Sequence, residues 1–598
     1  MTPVIDLRSV RERRSREAAP PVQSTGRRRR RLVLLLIAGW ALFCAGQLAL
    51  AYRDARHGLQ ATASARREIA GGGIDENQAA VRLEGASRSF DRARRRSSSP
   101  AVLPLRVVPV LGRQLSSFHQ LASVAAHITN TAAIGAEQVG AALGDALPAG
   151  DHRVPVLRLL ADRATSVDGA LGELRFPAGD GLIAPLRRRW AQLEETVAST
   201  RASLRTAAEG LDGVADVLEG PRRYLLLAAN NGEMRAGSGM FLSVGTIEIG
   251  RGSVKVGTLR PSGELTLPGS GVSVDGDLGA RWGQLQPGRE WRNLATTPRF
   301  DATAPLAVRM WESLTGEQVD GAMVLDVPLL QAVLAATGPV AVGNEMVTEA
   351  DVVDRLLHDQ YQGVDFDDVQ AARREQLGAM AAAVVAALER GEYSPGRLAA
   401  GVAKASRGRH LLAWSAHAGD QRTWETAGVS GSLRPTSLAV NILNRGGNKL
   451  DPFLQVEAEL DLHPVFDGTG VTVRAKVANH APTGQSPYIT GPHPQSGVNE
   501  GDYLGIIAVN VPEAATDLAV DGTPALVATG ADGPTHMVAA NLLIPRGGET
   551  TLTVRFRLPA SETLIEVVPS ARVPPIRWEA GAQRWMDDAP KVVTWRWE

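Results

Sequence analysis

The chain has 598 residues, with 64 basic and 64 acidic side chains and a formal net charge of zero. It therefore carries no global field of the kind that gathers nucleic acid, and no nucleic-acid partner is expected. Its one cysteine, Cys44, excludes a disulfide and leaves the remainder of the chain without a thiol nucleophile.

Residues 1–31 are a basic tail: Arg8, Arg11, Arg13, Arg14, Arg16 and Arg27 to Arg31 stand against Asp6, Glu12 and Glu17, a formal +7. Residues 32–52, Leu32 to Tyr52, hold no charged side chain. As a helix rising ~1.5 Å per residue this run reaches ~31 Å, enough to cross a hydrocarbon core. The excess of positive charge predicts a cytoplasmic N-terminus, with residues 53–598 outside a plasma membrane. A cleaved signal peptide is the competing reading. Its apolar core would be only about 7–15 residues long.

Residues 53–220 are predicted as a helical stalk. Leu111, Leu115, Phe118, Ala122, Ala125, Ile128, Ala132 and Val139 recur at helical spacing. From Leu186 to Leu218 the apolar steps alternate four and three, through Trp190, Leu193, Val197, Thr200, Leu204, Ala207, Leu211 and Val214. That is a heptad seam, and it needs a partner helix. Residues 111–146 and 154–172 of the same chain can supply one; a coiled-coil homodimer is the alternative.

Residues 221–435 alternate strand-like and helix-like segments and predict an α/β layered domain. Tyr224 to Ala229 reads as a buried strand. Phe241–Ile249 and Ser253–Leu259 read as a hairpin around Gly250, Arg251 and Gly252. Ala304–Leu314 reads as a helix, Asp320–Val327 as a strand, and Pro328 opens another helix. Thr348 reads as a helix cap, Asp367–Glu389 as a longer helix, and His410–Ser415 as a strand. Residues 436–598 change to period two, as in Val471, Val473, Ala475 and Val477 and again in Leu552, Val554 and Phe556, and predict an all-β sandwich. The whole is an α+β multidomain chain.

No phosphate loop, zinc-protease helix, cysteine pair or nucleophile elbow is present. The densest polar cluster is Asn230, Asn231, Gly232, Glu233, Met234 and Arg235, fed by an apolar strand into a glycine-rich turn. Polar groups at a strand end are where open α/β sheets bind ligands. The bland reading is a turn network with a structural ion pair. Arg299 with Asp301 is a second cluster. A third is Arg373, Arg374 and Gln376, on the Asp367–Glu389 helix. Arginine forks hold phosphate without a metal; a solvated helix face is the alternative.

The run from Arg223 through Asn230-Asn-Gly-Glu-Met-Arg235 resembles the signature of bacterial, actinobacterial-type membrane proteins grouped as domain of unknown function 4012. So do Val319-Asp-Gly321 with Asp326, Thr337-Gly-Pro-Val340, Arg409-His410, and the Gly-Gly-Asn-Lys-Leu-Asp run ending at Asp451. Gly237-Ser238-Gly239-Met240-Phe241 stands where many relatives carry Gly-Gly-Phe. The order of strands, acid, arginines and helix also looks, more distantly, like the LytR-CpsA-Psr phosphotransferases. That second resemblance implies a lipid-linked glycan or cell-wall glycopolymer as ligand. It also implies a pyrophosphate held by Arg235, Arg373, Arg374 and Gln376, with Arg299 a weaker match, and magnesium held by Glu233 and Asp301. Glu233 and Arg235 would then be catalytic. Three readings remain open at this point: a glycan-binding or scaffold protein of the envelope, a phosphotransferase, and a purely structural stalk.

Overall fold

The computed structural model describes residues 25–70, 76–143, 150–176, 182–362, 380, 383–491, 497–521 and 525–597. The chain divides into two compact units. The first comprises Met1–Ala63, Leu83–Asn130 and Phe176–Glu194; the second comprises Ser64–Arg82, Thr131–Arg175 and Glu195–Glu598.

Five long helices come first: α1 (Thr25–Ala70), α2 (Glu76–Ser97), α3 (Pro109–Leu143), α4 (Arg153–Gly172) and α5 (Ala184–Glu219). Within α1, Val33–Arg67 is the one candidate membrane span among the described residues, long and apolar enough to cross a bilayer. Its apolar side chains face outward, Leu34 being 65% and Leu42 74% exposed, which suits a helix solvated by lipid. In the first unit α2 runs antiparallel to α1. Arg96 of α2 donates to Asp54 at 2.8 Å, and the Phe90 ring lies over Gly58, where a Cβ would meet it at 2.8 Å.

In the second unit α4 and α5 are also antiparallel. Arg201 and Arg205 donate to Asp168 at 2.8 and 2.9 Å, and Arg158 donates to Asp216 and Glu219, each at 2.8 Å. The seam of α5 is thus partnered within the chain. Trp190 and Val197 are buried as the heptad predicts, but Thr200 and Ala207 are exposed and Ala208 and Ala215 are buried instead. A straight helix with 3.6 residues per turn drifts off a strict seven-residue repeat in this way.

The first sheet has the order β3-β2-β1-β5-β8, with β4 beside β2. Its strands are β1 (Arg222–Met234), β2 (Gly239–Gly250), β3 (Ser253–Val256), β4 (Arg260–Pro261), β5 (Gly321–Leu325) and β8 (Leu411–Ser415). Of these, β1 and β5 pair in parallel. A small hairpin, β6 (Val340–Val342) and β7 (Glu345–Val347), stands apart. The turn from β2 to β3 is Arg251-Gly252, both at positive φ, as tight hairpins require. Helices are α6 (Gly276–Trp282), α7 (Phe300–Thr315), α8 (Val327–Thr337), α9 (Val352–Leu357), α10 (383–390), α11 (Pro395–Arg407) and α12 (Ala418–Thr426). Alternate residues of β1 serve two cores. Leu225, Leu227 and Ala229 meet Phe300, Ala304, Ala307 and Trp311 of α7, while Tyr224 and Leu226 meet Val217 of α5 and Trp424 of α12. Helix α9 starts at Val352, and Asp351 accepts from the Thr348 N–H at 2.7 Å. The N-cap residue is therefore Asp351 and not Thr348, and the Asp351 side chain reaches back to Thr348 without making a cap hydrogen bond to the helix. The 367–379 part of the long helix expected before Glu389 lies outside the described residues.

Two further six-stranded sheets follow. One has the order β13-β16-β11-β10-β18-β19, the other β14-β15-β12-β9-β17-β20. Their strands are β9 (Ser437–Asn444), β10 (Leu454–Val465), β11 (Gly468–Asn479), β12 (Tyr503–Pro512), β13 (Thr516–Asp521), β14 (Leu526–Ala531), β15 (Thr535–Ile544), β16 (Glu549–Pro559), β17 (Leu564–Val567), β18 (Arg577–Ala580), β19 (Gln583–Met586) and β20 (Lys591–Thr594). A short helix, α13 (Pro487–Thr490), interrupts the loop before β12. Val471, Val473, Leu552, Val554 and Phe556 point into one core with Ile507, Val509 and Val511 of β12. The other face of β12, Ile506 and Ala508, joins the α7 core. The sheet containing β9, β12 and β15 is buried on both faces, which is why β12 reads as a continuous apolar run.

Candidate functional site

Three strand ends meet at one edge of the first sheet. Parallel pairing sets Ala228 of β1 opposite Leu325 of β5, so the residues after each emerge together. Antiparallel pairing sets Leu325 opposite Leu411 of β8, so His410 enters at the same edge. There the register of β1 against β2 breaks between Asn230 and Met234. This bulge turns Asn231 and Glu233 out of the ladder.

Asn231 Nδ2 donates to Asp326 Oδ2 at 2.8 Å and to the Ala571 carbonyl at 3.0 Å. Asp326 caps α8, accepting from the Leu329 N–H at 3.3 Å, and its Oδ2 lies 2.7 Å from His410 Nδ1. A carboxylate there fixes the proton on Nδ1 and leaves Nε2 as the acceptor of the neutral ring. Burial opposes a charge on His410, but Asp326 outweighs it by attraction and hydrogen bonding, and the ring's pKa rises. The imidazole keeps 15% exposure. A Cβ on Gly408 would stand 3.0 Å from Nε2, so glycine keeps that edge clear. Asp587, buried and within electrostatic reach, accepts from the Ser570 hydroxyl at 2.7 Å; burial pushes its carboxyl up to about 7.

Beside this pair lies a denser network. Glu233, 5% exposed, forms an ion pair with Lys449, 1% exposed. The Lys449 ammonium also sits 5.2 Å from the Tyr361 ring centre and 5.1 Å from that of Tyr488. The two rings stack at 5.5 Å, so the cation is held by one carboxylate and two π-faces. Asp451 is fully buried. It accepts from Arg572 at 2.9 Å, Tyr503 at 3.1 Å, Asn444 at 2.9 Å and the Met234 N–H at 3.0 Å. Arg235 donates to the carbonyls of Arg292 at 2.8 Å, Met234 at 3.0 Å and Asn444 at 2.6 Å. Burial pushes its pKa down to about 10. Asn230 donates to the Tyr361 hydroxyl at 2.7 Å.

The residues expected to bind ligand therefore fare unequally. Asn230, Asn231, Glu233 and Arg235 are brought together, but each is engaged by protein. Glu233 does not pair with Arg235; its partner is Lys449. Arg299 and Asp301 make a separate ion cluster at the start of α7: Arg299 donates to Asp301 at 3.1 Å and lies 3.7 Å from Asp532. The expected metal ligands are thus both in ion pairs, and among the described residues no group of three or more His, Cys, Asp or Glu could hold a metal. Arg373, Arg374 and Gln376 lie outside the described residues. Asp326, His410, Lys449 and Asp451 stood in the motifs that carried the family resemblance, but their role at the site was not read from them. Arg572 and Asp587 carried no sequence signal, because single charges in a strand-rich segment look like surface.

Residues 219–361 match the model of a family described as Protein of unknown function (DUF4012). No curated protein and no solved structure matches the chain.

Proposed function

The chain carries a DUF4012 segment over residues 219–361, and on that premise we propose that it is a membrane-anchored envelope protein of the binding or scaffold class, not a phosphotransferase. Its ectodomain, a transferase-like α/β layer joined to a β-sandwich, lies outside the cytoplasm and meets glycan or lipid-linked glycan there. The anchor is supported by the apolar stretch of α1; the outward orientation is supported by the ten arginines before it. The glycan rests on the resemblance to the LytR-CpsA-Psr enzymes.

One observation carries the choice of class. Nε and Nη1 of Arg235 are spent on three backbone carbonyls, and Glu233 on Lys449. An arginine so held ties strand to strand and keeps only Nη2 for a ligand, since each parallel pair of N–H groups that could grip a pyrophosphate includes Nε or Nη1. Full-length protein in detergent would be given a polyprenyl-pyrophosphate-linked glycan with magnesium. Binding without release of lipid phosphate is expected, together with a lower melting temperature and unchanged glycan affinity in Arg235→Lys. Release of lipid phosphate by the wild type that Arg235→Lys abolishes at unchanged melting temperature would restore the enzyme. A second reading draws on His410: an imidazole oriented by Asp326 with Nε2 clear is the arrangement of a general base. Turnover lost in His410→Gln but kept in Arg235→Lys would favour it.

A further inference from the structure

The first unit exposes apolar residues in two turns that the anchor helix alone does not explain. Between α2 and α3, Leu103 (46%), Val107 (84%) and Val108 (48%) face outward, as do Val110 (72%) and Leu111 (40%) in the first turn of α3; just before α5, so does Ile183 (52%). The two turns adjoin, since the Ile183 N–H donates to Gln114 of α3 at 3.0 Å. They lie beside the apolar run of α1 and not beyond its end. Trp40 Nε1 and Cys44 Sγ both donate to the Ala101 carbonyl, at 3.0 and 3.2 Å. Leu115, Val102 and Leu105 pack on the same stretch with Leu48. At ~1.5 Å per helical residue, Trp40 and Cys44 are ~18 and ~12 Å back along α1 from Tyr52.

The backbone here suits a medium without water. Pro100, Pro104 and Pro109 have no N–H to satisfy. The N–H groups of Ser98, Ser99, Val102, Leu103, Leu105, Val108 and Gly112 all donate within the turn. Irregular backbone is tolerated at membrane depth only where its polar groups are met by protein. Behind the apolar turns stand charges of one sign. Arg113, Arg187, Arg188 and Arg189 are exposed, and none is in an ion pair among the described residues. Arg106, inside the turn, buries its Nε and Nη2 and acts electrostatically on His119, which is held at 3.2 Å from the Arg94 carbonyl.

We propose that these two turns form a wedge inserted into the leaflet on the Tyr52 side, with acyl chains on the six apolar residues and anionic lipid phosphates on the arginines behind them. The chain would then grip the bilayer by the helix and by the wedge, which fixes the helices of the first unit against the membrane surface. This rests on α1 spanning the bilayer.

The test uses the full chain in lipid nanodiscs, with Cys44→Ser keeping the donor to Ala101. An environment-sensitive fluorophore is placed at Val107→Cys, at Leu42→Cys in the span, and at Arg88→Cys as a solvent reference. Expected for Val107 is a blue-shifted emission that brominated acyl chains quench and aqueous iodide does not, like Leu42 and unlike Arg88. The shift should grow when phosphatidylglycerol replaces part of the phosphatidylcholine. Arg187→Gln/Arg188→Gln/Arg189→Gln should erase that growth. Iodide quenching at Val107 with Leu42 still in lipid would overturn the wedge and leave the anchor standing. Iodide quenching at both would overturn the anchor itself. Equal insertion in the two lipids would overturn the role given to the arginines.

Discussion

His410 feels two carboxylates, and both favour a proton on its ring. Asp326 is hydrogen-bonded to the ring and favours the imidazolium, while Asp587 is buried with its pKa pushed up to about 7. His410 and Asp587 each hold a proton more tightly in the fold than in the unfolded chain. The sign follows from linkage: where the native state binds more protons, stability falls as pH rises. For Asp587 that window runs from its ordinary value of 3.8 to about 7. For His410 it opens at 6.5 and closes above its raised folded value. Denaturant titration of the full chain at pH 5 and pH 8 should therefore give lower stability at pH 8. Asp587→Asn should flatten the difference, because an amide cannot ionise yet can still accept from Ser570. An equal pH slope in wild type and variant would mean that Asp587 does not titrate in this range.

Helices and strands differ in how far the sequence announces them. Period two in β11 and β16 and the Arg251-Gly252 turn were readable directly, since burial on one face writes alternation and a tight hairpin demands positive φ. The polar cluster after β1 was readable as a cluster but not as to use. Glu233 and Arg235 find partners more than 200 residues away, in Lys449 and Asn444, and local spacing carries no information about them. The last turns of α5 make the same point. Gly210 and Gly213 both look like weak points in a helix, but a Cβ at Gly210 meets nothing within 4 Å, whereas at Gly213 it would fall 2.0 Å from Thr423 Oγ1. Gly210→Ala should thus stabilise by roughly 0.5–1 kcal/mol. Gly213→Ala should destabilise, because α5 must move off α12. Thermal melts of the two variants decide this: a rise in both would mean that Thr423 leaves room for a Cβ at Gly213 without moving α5.

At the scale of the molecule, the sheet around β12 ties the α/β layer to the C-terminal sheets. Ile506 and Ile507 are neighbours in sequence and belong to different cores. Truncating either to alanine should cost about 2–5 kcal/mol, the usual range for a buried aliphatic. Both variants are expected to lower one and the same unfolding transition of the second unit. Two separated transitions, each sensitive to one variant, would show the cores to be independent. The change of sequence pattern near residue 436 marked a change of secondary structure, and it did not reveal that Leu443, Ala508, Met537 and Ala539 complete the core of the preceding segment.

That shared sheet has a consequence for anyone building chimeras. A cut at residue 436 looks natural from composition, but it would strip the floor from under α7, orphan Glu233 and the Met234 N–H, and take one of the three carbonyls from Arg235, since Lys449, Asp451 and Asn444 would leave with the other fragment. Neither piece could be expected to be soluble. The exchangeable cassette runs from β1 to β20, and related chains that vary in ligand should differ in loops carried on this body, not in which half of it they keep.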